Sequence, residues 1–520
     1  MSDTYEDIGI ETKSGFSSSA STPDNKVFKN SLYNSGAWTT TVLISLLATP
    51  YIVNKLSLEG YGIYALLTGL VGYYGLLDLG LGQGVIKFAA QYKAIGDDES
   101  ISRSINAALW VQIVAGLIGS AVLVIFAEPI LTLFRVSSAF LIDAKLCLYM
   151  SAIGFLFKMI SQTLSSVLMG LQRYDITSKV SVVTNFLLIL FIVLVLYHGG
   201  GLKEIIFLTV VSTFIVCVIY FFILRQKLPQ WRFSFVLDKV YFKVLFSFSI
   251  FLFISRVSSL FNNYIVCFVV GFFLGPAAIT FYIVPSKIIN AFGGLLSNAF
   301  GVLFPFASEL GSQKNMKKVQ KTFVEGSKIF AALSIPVFLM IFIFSKPILL
   351  TWMGTEFAEK GWLVLSLLAI SSLIGSLTTV PNLITMGLGY SKVIGIFSIF
   401  TVVFYIVLLP SFTKFWGIQG TAVAMLVATI PGITLVGYEC SKIIHVEIWH
   451  YAKNVISFHI IPLAASLFYV ILFKNFEICS TTLVFTIPVA LLVSYFTLMI
   501  VFKWIPLVRI IKRLWMDSIK

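Results

Sequence analysis

The sequence predicts an all-α polytopic membrane protein of about fourteen transmembrane helices, built as two six-helix lobes related by a parallel internal repeat, with two C-terminal helices after them. Three observations predict this. The 520 residues are 58% hydrophobic and only 12% charged, against roughly 45–50% apolar and about 25% charged in ordinary soluble domains, and the mean hydropathy is +0.96. Apolar runs long enough to cross a bilayer, about 20 residues each, fill the chain from about residue 37 to 504. Finally, the first part of the chain resembles a later part at a fixed spacing.

In order, residues 1–30 are polar, acidic and rich in Ser and Thr, without the apolar core of a signal peptide. They read as a disordered cytoplasmic tail. The runs lie near 37–54, 61–86, 105–126, 146–169, 180–197, 204–224, 244–273, 277–306, 323–344, 361–386, 393–410, 417–437, 454–473 and 481–502. Most lack two-residue alternation, so helices are expected rather than a barrel. The divisions that follow are an N-lobe at 31–226 (helices 1–6), a cytoplasmic linker at 227–243, a C-lobe at 244–443 (helices 7–12), two extra helices at 444–505 and a basic cytoplasmic tail at 506–520. Pro229 and Trp231 suit the linker to the membrane–water interface.

Orientation comes from Lys and Arg in the loops. With the N-terminus in the cytoplasm, 25 of the 37 Lys and Arg fall on the cytoplasmic side, eight outside and four within spans. That bias predicts an even number of spans and both termini inside, although twelve spans would satisfy it as well as fourteen. The net charge of +14 is spread over short loops and gathers into no domain, so no nucleic-acid partner is expected. The five cysteines have no CxxC spacing and read as small buried hydrophobes.

Residues 64–131 align without a gap on 282–349, an offset of 218. Ile125, Phe126, Pro129, Ile130 and Leu131 match Ile343, Phe344, Pro347, Ile348 and Leu349; Tyr64, Gly75, Leu77, Phe88 and Ala89 match Tyr282, Gly293, Leu295, Phe306 and Ala307. Further on, Met169-Gly170-Leu171 matches Met386-Gly387-Leu388 at an offset of 217. Six spans per lobe bring both lobes into the membrane from the same side, an arrangement that in many transporters places the substrate site between the lobes.

Charges inside the spans point to function, since each costs several kcal/mol unless it faces a wet, protein-lined cavity. Arg256, Lys287, Lys158 and Lys87 are four cations in otherwise apolar segments, and Asp78 is the one clear acid. That sign predicts a cavity for an anion. Arg256 lies near the middle of its run, too deep to snorkel, and a guanidinium forks onto paired phosphate oxygens. Asn262 and Asn263 follow within two turns; they suit sugar hydroxyls or a neighbouring helix equally. Lys287, Asn290 and Asn298 share a helix face, as do Lys158 and Gln162, giving polar stripes expected of a cavity wall. Lys87, at the cytoplasmic end of its span, either joins that wall or snorkels. Asp78 is a candidate for ion coupling; the other reading pairs it with Lys87 or another cation. The glycines around it, Gly75, Gly80, Gly82 and Gly84, suit a bend or a close helix approach and not a dinucleotide fingerprint, which needs a strand–turn–helix.

Residues Leu56–Leu66, with Gly60-Tyr61-Gly62-Ile63-Tyr64, and Gly75–Lys87, with Asp78-Leu79-Gly80-Leu81-Gly82, resemble the first helical hairpin of the polysaccharide-transport family, which includes the O-antigen flippases of Wzx type. That family shares a superfamily with multidrug and toxin extruders and lipid II flippases. Lys87 stands where the family pattern has Arg, keeping the charge but weakening bidentate recognition. The resemblance implies a flippase for undecaprenyl-diphosphate-linked oligosaccharide, working by alternating access in a bacterial inner membrane. The polyprenyl-diphosphate-linked oligosaccharide and membrane lipids would be its partners, with a polysaccharide polymerase and a chain-length regulator beside them, and proton or sodium entry would drive it.

Two other readings compete. An ion-coupled multidrug extruder with cationic substrates would need acids in its cavity. A surface-polysaccharide polymerase or ligase would have a large outer loop and no lobe repeat. There is no GxxxxGK[ST], no HExxH and no Cys/His cluster, so no cofactor, metal or covalent chemistry is expected and the chain does not read as an enzyme.

Overall fold

The computed structural model describes residues 23–72, 77–78, 80–234, 238, 241–243, 245–246, 249, 265–301, 303–312 and 315–447, with isolated positions up to 495. Secondary structure among these residues is helical, without strands. Of the tail expected at 1–30, residues 23–30 are helical and open the first helix, which corrects that expectation; residues 1–22, the tail at 506–520, most of the two extra helices, and Arg256, Asn262 and Asn263 lie outside the described residues. Nine helices among the described residues are long and apolar enough to span a membrane. The predicted count of fourteen is not reached by them.

Packing divides the chain into two compact units, 1–264 and 265–520. The first contains α1 (Pro23–Gly72), α2 (Leu81–Ile95), α3 (Asp98–Ile125), α4 (Ala127–Leu133), α5 (Ser138–Gly170), α6 (Tyr174–Tyr197) and α7 (Leu202–Lys227). Fifty helical residues would span about 75 Å, more than twice a bilayer's hydrocarbon core. The non-helical Ser57 (φ 69°, ψ 168°) divides α1 accordingly. Helix α5 packs against α2, α3 and α7, while α1 packs on α6. The core of this unit is built from Leu81, Val85, Phe88 and Tyr92 of α2, Ile101, Ile105 and Leu109 of α3, and Leu164 and Leu168 of α5.

Trp231, in the segment that the sequence suits to an interface, packs inside the protein. It is fully buried, edge-on to Phe221 at 5.6 Å. Its indole N–H donates to Asn106 Oδ1 at 3.1 Å, Asn106 Nδ2 donates to Arg232 O at 2.9 Å, and Arg225 Nη1 donates to Trp231 O at 2.7 Å. An indole whose N–H finds a partner is at home in a core. Hydropathy alone does not separate that solution from an interfacial one.

The second unit contains α8 (Ile265–Leu274), α9 (Pro276–Phe300), α10 (Leu303–Ser312), α11 (Met316–Ile343), α12 (Ser345–Met353), α13 (Thr355–Lys360), α14 (Trp362–Ser376), α15 (Thr379–Gly387) and α16 (Ser391–Ile444). Helix α16 is a hairpin. Thr413 and Thr421, about 12 Å apart along a continuous helix, bring their hydroxyls to 2.9 Å. The reversal falls at Gly417, with φ 62° and ψ −145°, a backbone readily adopted only without a Cβ. Its position agrees with the separate apolar runs 393–410 and 417–437.

The two units repeat one another in detail. Asp97 caps α3 by accepting from Ser100 N, and Asn315 caps α11 by accepting from Lys318 N, 218 residues on. Asp97 N donates to Tyr92 O and Asn315 N to Leu310 O. Phe126 N donates to Val122 O and Phe344 N to Met340 O, again at the same offset. Positive φ occurs at Ser57 (69°) and at Gly275 (84°). At the 217 offset, Arg173 N donates to Leu168 O and Tyr390 N to Thr385 O. A Cβ at Gly170 would lie 2.8 Å from Ile86 O and Ala89 Cβ; one at Gly387 would lie 2.5 Å from Phe304 O and 2.8 Å from Ala307 Cβ.

Candidate functional site

The predicted site residues fall into three described groups. The first is the break between α1 and α2. Gly80 adopts left-handed φ/ψ (74°, 5°) as the N-cap of α2, and Leu81 N returns to Asp78 O at 2.9 Å. The break delivers Asp78 into the interior, where it is 1% exposed. Gln112 of α3 donates from Nε2 to Asp78 Oδ1 at 2.5 Å. A buried carboxylate needs such donors, because desolvation of an unsupported charge costs several kcal/mol. Sequence reasoning missed Gln112, although it is the only amide in the interior of its apolar run. Lys87, two turns further along α2, is exposed, with Nζ 4.8 Å from the centre of the Phe88 ring.

The second group surrounds Lys158. Helix α5 places it in a recess of about 90 Å³ lined by Thr68, Val71, Ser151, Gly154, Thr209 and Thr213. Thr68, Thr209 and Thr213 donate their hydroxyl hydrogens to Tyr64 O, Ile205 O and Thr209 O, one turn back on their own helices. Their oxygens therefore offer lone pairs to the recess. That lining suits an ammonium and a few waters. Gln162 is half-buried one turn on, and its main-chain carbonyl accepts from Ser165 Oγ at 3.0 Å. The sequence marked Lys158 and Gln162 but not these hydroxyls, which come from α1 and α7, far apart in the chain.

The third group is the stripe on α9. Lys287 is half-buried, and Asn290 and Asn298 are exposed. All three lie off the face that α9 buries, which consists of Ile279, Tyr282, Val284, Ile288, Ile289 and Ala291 among others. The helix thus keeps an apolar face for its own unit and leaves a cationic, amide-bearing face uncommitted to that core. Among the described residues no group of three His, Cys, Asp or Glu side chains is placed to hold a metal.

The family model described as "Polysaccharide biosynthesis protein" matches residues 27–311. A Shigella flexneri protein described as "Putative O-antigen transporter" is 21% identical over 404 residues, covering 78% of this chain and 95% of that one. Among solved structures, the chain resembles "Lipid II flippase MurJ, inward closed conformation" with a TM-score of 0.67 at 16% identity, covering 92% of this chain and 98% of that one. It also resembles an inward-facing multidrug resistance MATE family transporter of the MOP superfamily, with a TM-score of 0.63 at 14% identity over 84% of this chain and 98% of that one. These likenesses carry the fold of a multi-pass membrane transporter.

Proposed function

The chain belongs to the polysaccharide biosynthesis protein family, and we propose that it flips polyprenyl-diphosphate-linked oligosaccharide across the bacterial inner membrane by alternating access, acting as a transporter and not as an enzyme. The observation that carries this reading is the sign of the charge within the spans. Lys158 and Lys287 sit on described helices long and apolar enough to span a membrane, Lys87 lies within α2, Arg256 lies in a further apolar run, and Asp78 is the acid among them. A diphosphate brings compensating negative charge, whereas a cationic drug would meet repulsion. Asn290, Asn298, Asn262, Asn263 and Gln162 offer amides to sugar hydroxyls, and the polyprenyl tail stays in lipid. The O-antigen transporter relative and the lipid II flippase fold both support a lipid-linked substrate.

In this reading both termini face the cytoplasm, following the Lys and Arg bias. Asp78 serves as the ion-coupling residue. A polymerase and a chain-length regulator take over the flipped unit at the outer face. Deleting the gene and extracting lipid-linked intermediates tests the proposal. Loss of surface polymer, with single repeat units trapped on the cytoplasmic face and rescue by the wild-type chain but not by Arg256→Ala, is expected. Normal surface polymer alongside altered sensitivity to cationic drugs would overturn it in favour of an extruder.

A further inference from the structure

At one end of the first unit, four helices leave a recess of about 250 Å³. Trp38 and Thr41 of α1, Ser165 of α5, Thr177 and Ser178 of α6 and Tyr220 of α7 line it, and none of the described residues around it is charged. Ser165, Thr177, Ser178 and Tyr220 are each 7% exposed or less. Ser165 and Thr177 give their hydroxyl hydrogens to carbonyls of their own helices, Gln162 O at 3.0 Å and Tyr174 O at 3.1 Å. The hydroxyls of Thr41, Ser178 and Tyr220 have no hydrogen-bond partner among the described residues. Buried polar groups seldom stay so, and a polar recess beside them is where a ligand or water supplies the partner. The fold does not demand these groups. The 217-residue offset pairs Tyr174 with Ser391 at the starts of α6 and α16, and Lys227 with Ile444 at the ends of α7 and α16. By that offset Thr177, Ser178 and Tyr220 correspond to Ile394, Gly395 and Gly437 in the second unit. A tryptophan at the edge of a span is ordinarily a membrane-interface anchor, but Trp38 is half-buried and forms the recess wall with Thr41, one turn on.

We propose that this recess binds one neutral sugar ring of the lipid-linked glycan, with Trp38 against the face of the ring and the Thr41, Ser178 and Tyr220 hydroxyls on its hydroxyl groups. Three features select that ligand. The lining is neutral, so a phosphate or carboxylate headgroup would bring an unbalanced charge into a low-dielectric site. Its polar groups are hydroxyls, each able to donate and to accept, which matches a polyhydroxyl ring and not an alkyl chain. The indole adds a flat apolar surface for the C–H face of a pyranose. The volume lies just below the roughly 300–1,000 Å³ of sites for drug-sized ligands, which leaves room for one ring and not for a chain of them. In the orientation proposed above this end of the unit faces the cytoplasm, the side from which the glycan sets out. The site deepens the flippase reading and rests on it.

Equilibrium binding of two lipids to the purified full-length chain tests it: polyprenyl-diphosphate-linked oligosaccharide extracted from the deletion strain, and bare polyprenyl diphosphate. The wild type is expected to bind the glycosylated lipid about tenfold more tightly, the size of one or two net hydrogen bonds. Trp38→Leu and the double variant Ser178→Ala/Tyr220→Phe each bring that ratio close to unity. Their affinity for the bare lipid stays at the wild-type value, which also shows that they are folded. Trp38→Tyr, which keeps a ring, retains part of the preference. Equal binding of both lipids by the wild type overturns the site. So does a wild-type ratio in both Trp38→Leu and the double variant; the recess then holds water only. Binding of neither lipid overturns the flippase reading and the site together. A recess-dependent glycan preference in a chain that restores no surface polymer upholds the site and defeats the flippase alone.

Discussion

Replacing Gly170 by alanine puts a methyl group where α5 touches α2. The new Cβ would sit 2.8 Å from both Ile86 O and Ala89 Cβ. Ordinary contact needs about 3.4–4 Å, so the helices must separate by a sizeable fraction of an ångström, and a main-chain carbonyl has no rotamer to move into. Overpacking of this kind costs about 1–3 kcal/mol. Alanine's better helix propensity returns at most about 1 kcal/mol, leaving a net loss of about 1–2 kcal/mol. Gly387→Ala in the second unit meets Phe304 O at 2.5 Å and Ala307 Cβ at 2.8 Å and is expected to cost more, about 2–3 kcal/mol. Gly437→Ala is the control, because a Cβ there meets nothing within 4 Å; it should be neutral or stabilising by up to about 1 kcal/mol. Thermal melting of purified protein, followed by loss of monodisperse elution, reads these as drops of roughly 2–8 °C for Gly170→Ala, more for Gly387→Ala and none for Gly437→Ala, at about 2–4 °C per kcal/mol for domains of this size. Melting of Gly170→Ala and Gly387→Ala at the wild-type temperature would refute the close packing, and with it the equivalence of the two units at this contact.

Three further outcomes follow from named contacts. Asp97→Ala and Asn315→Ala should each cost about 1 kcal/mol by removing equivalent caps, measured by the same melting assay. The Ser100 hydroxyl, and then the Ser100 N–H, hold the Asp97 carboxyl below its usual range; its contribution is therefore present above the ordinary carboxylate pKa and lost as pH falls through the depressed one, whereas the neutral Asn315 cap should not change with pH. Trp231→Ala should lose about 3–5 kcal/mol and leave Asn106 Oδ1 without its donor, and Trp231→Phe should lose less; yield of folded protein and melting temperature check both. Lys158→Met should lower restoration of surface polymer in a deletion strain, with yield of folded protein as the control; full restoration would remove Lys158 from the transport mechanism.

The parts of this fold governed by periodicity were readable beforehand, and the parts decided by a few polar contacts were not. The apolar runs 393–410 and 417–437 already implied the turn that Gly417 makes. The Met-Gly-Leu match at 170 and 387 marked a contact that the structure explains by the absence of a side chain. The equivalence of Asp97 with Asn315, and of Ser57 with Gly275, escaped notice because different residues perform the same capping or turning task. Trp231 suits an interface by sequence, and its packing against Phe221 together with its bond to Asn106 explains its burial. Within the site, sequence singled out charges because charges are rare in spans. It passed over Gln112, which holds the buried Asp78, and the threonines beside Lys158, whose oxygens line one recess.

The central claim is movement of a lipid-linked glycan, and reconstitution measures it directly. Purified chain is placed in liposomes containing labelled polyprenyl-diphosphate oligosaccharide, and a membrane-impermeant glycosidase reports the glycan in the outer leaflet. The account predicts that the wild-type chain makes the inner-leaflet glycan accessible, that protein-free liposomes do not, and that Arg256→Ala slows the transfer. Accessibility unchanged from protein-free liposomes, in preparations that move a cationic dye instead, would contradict it.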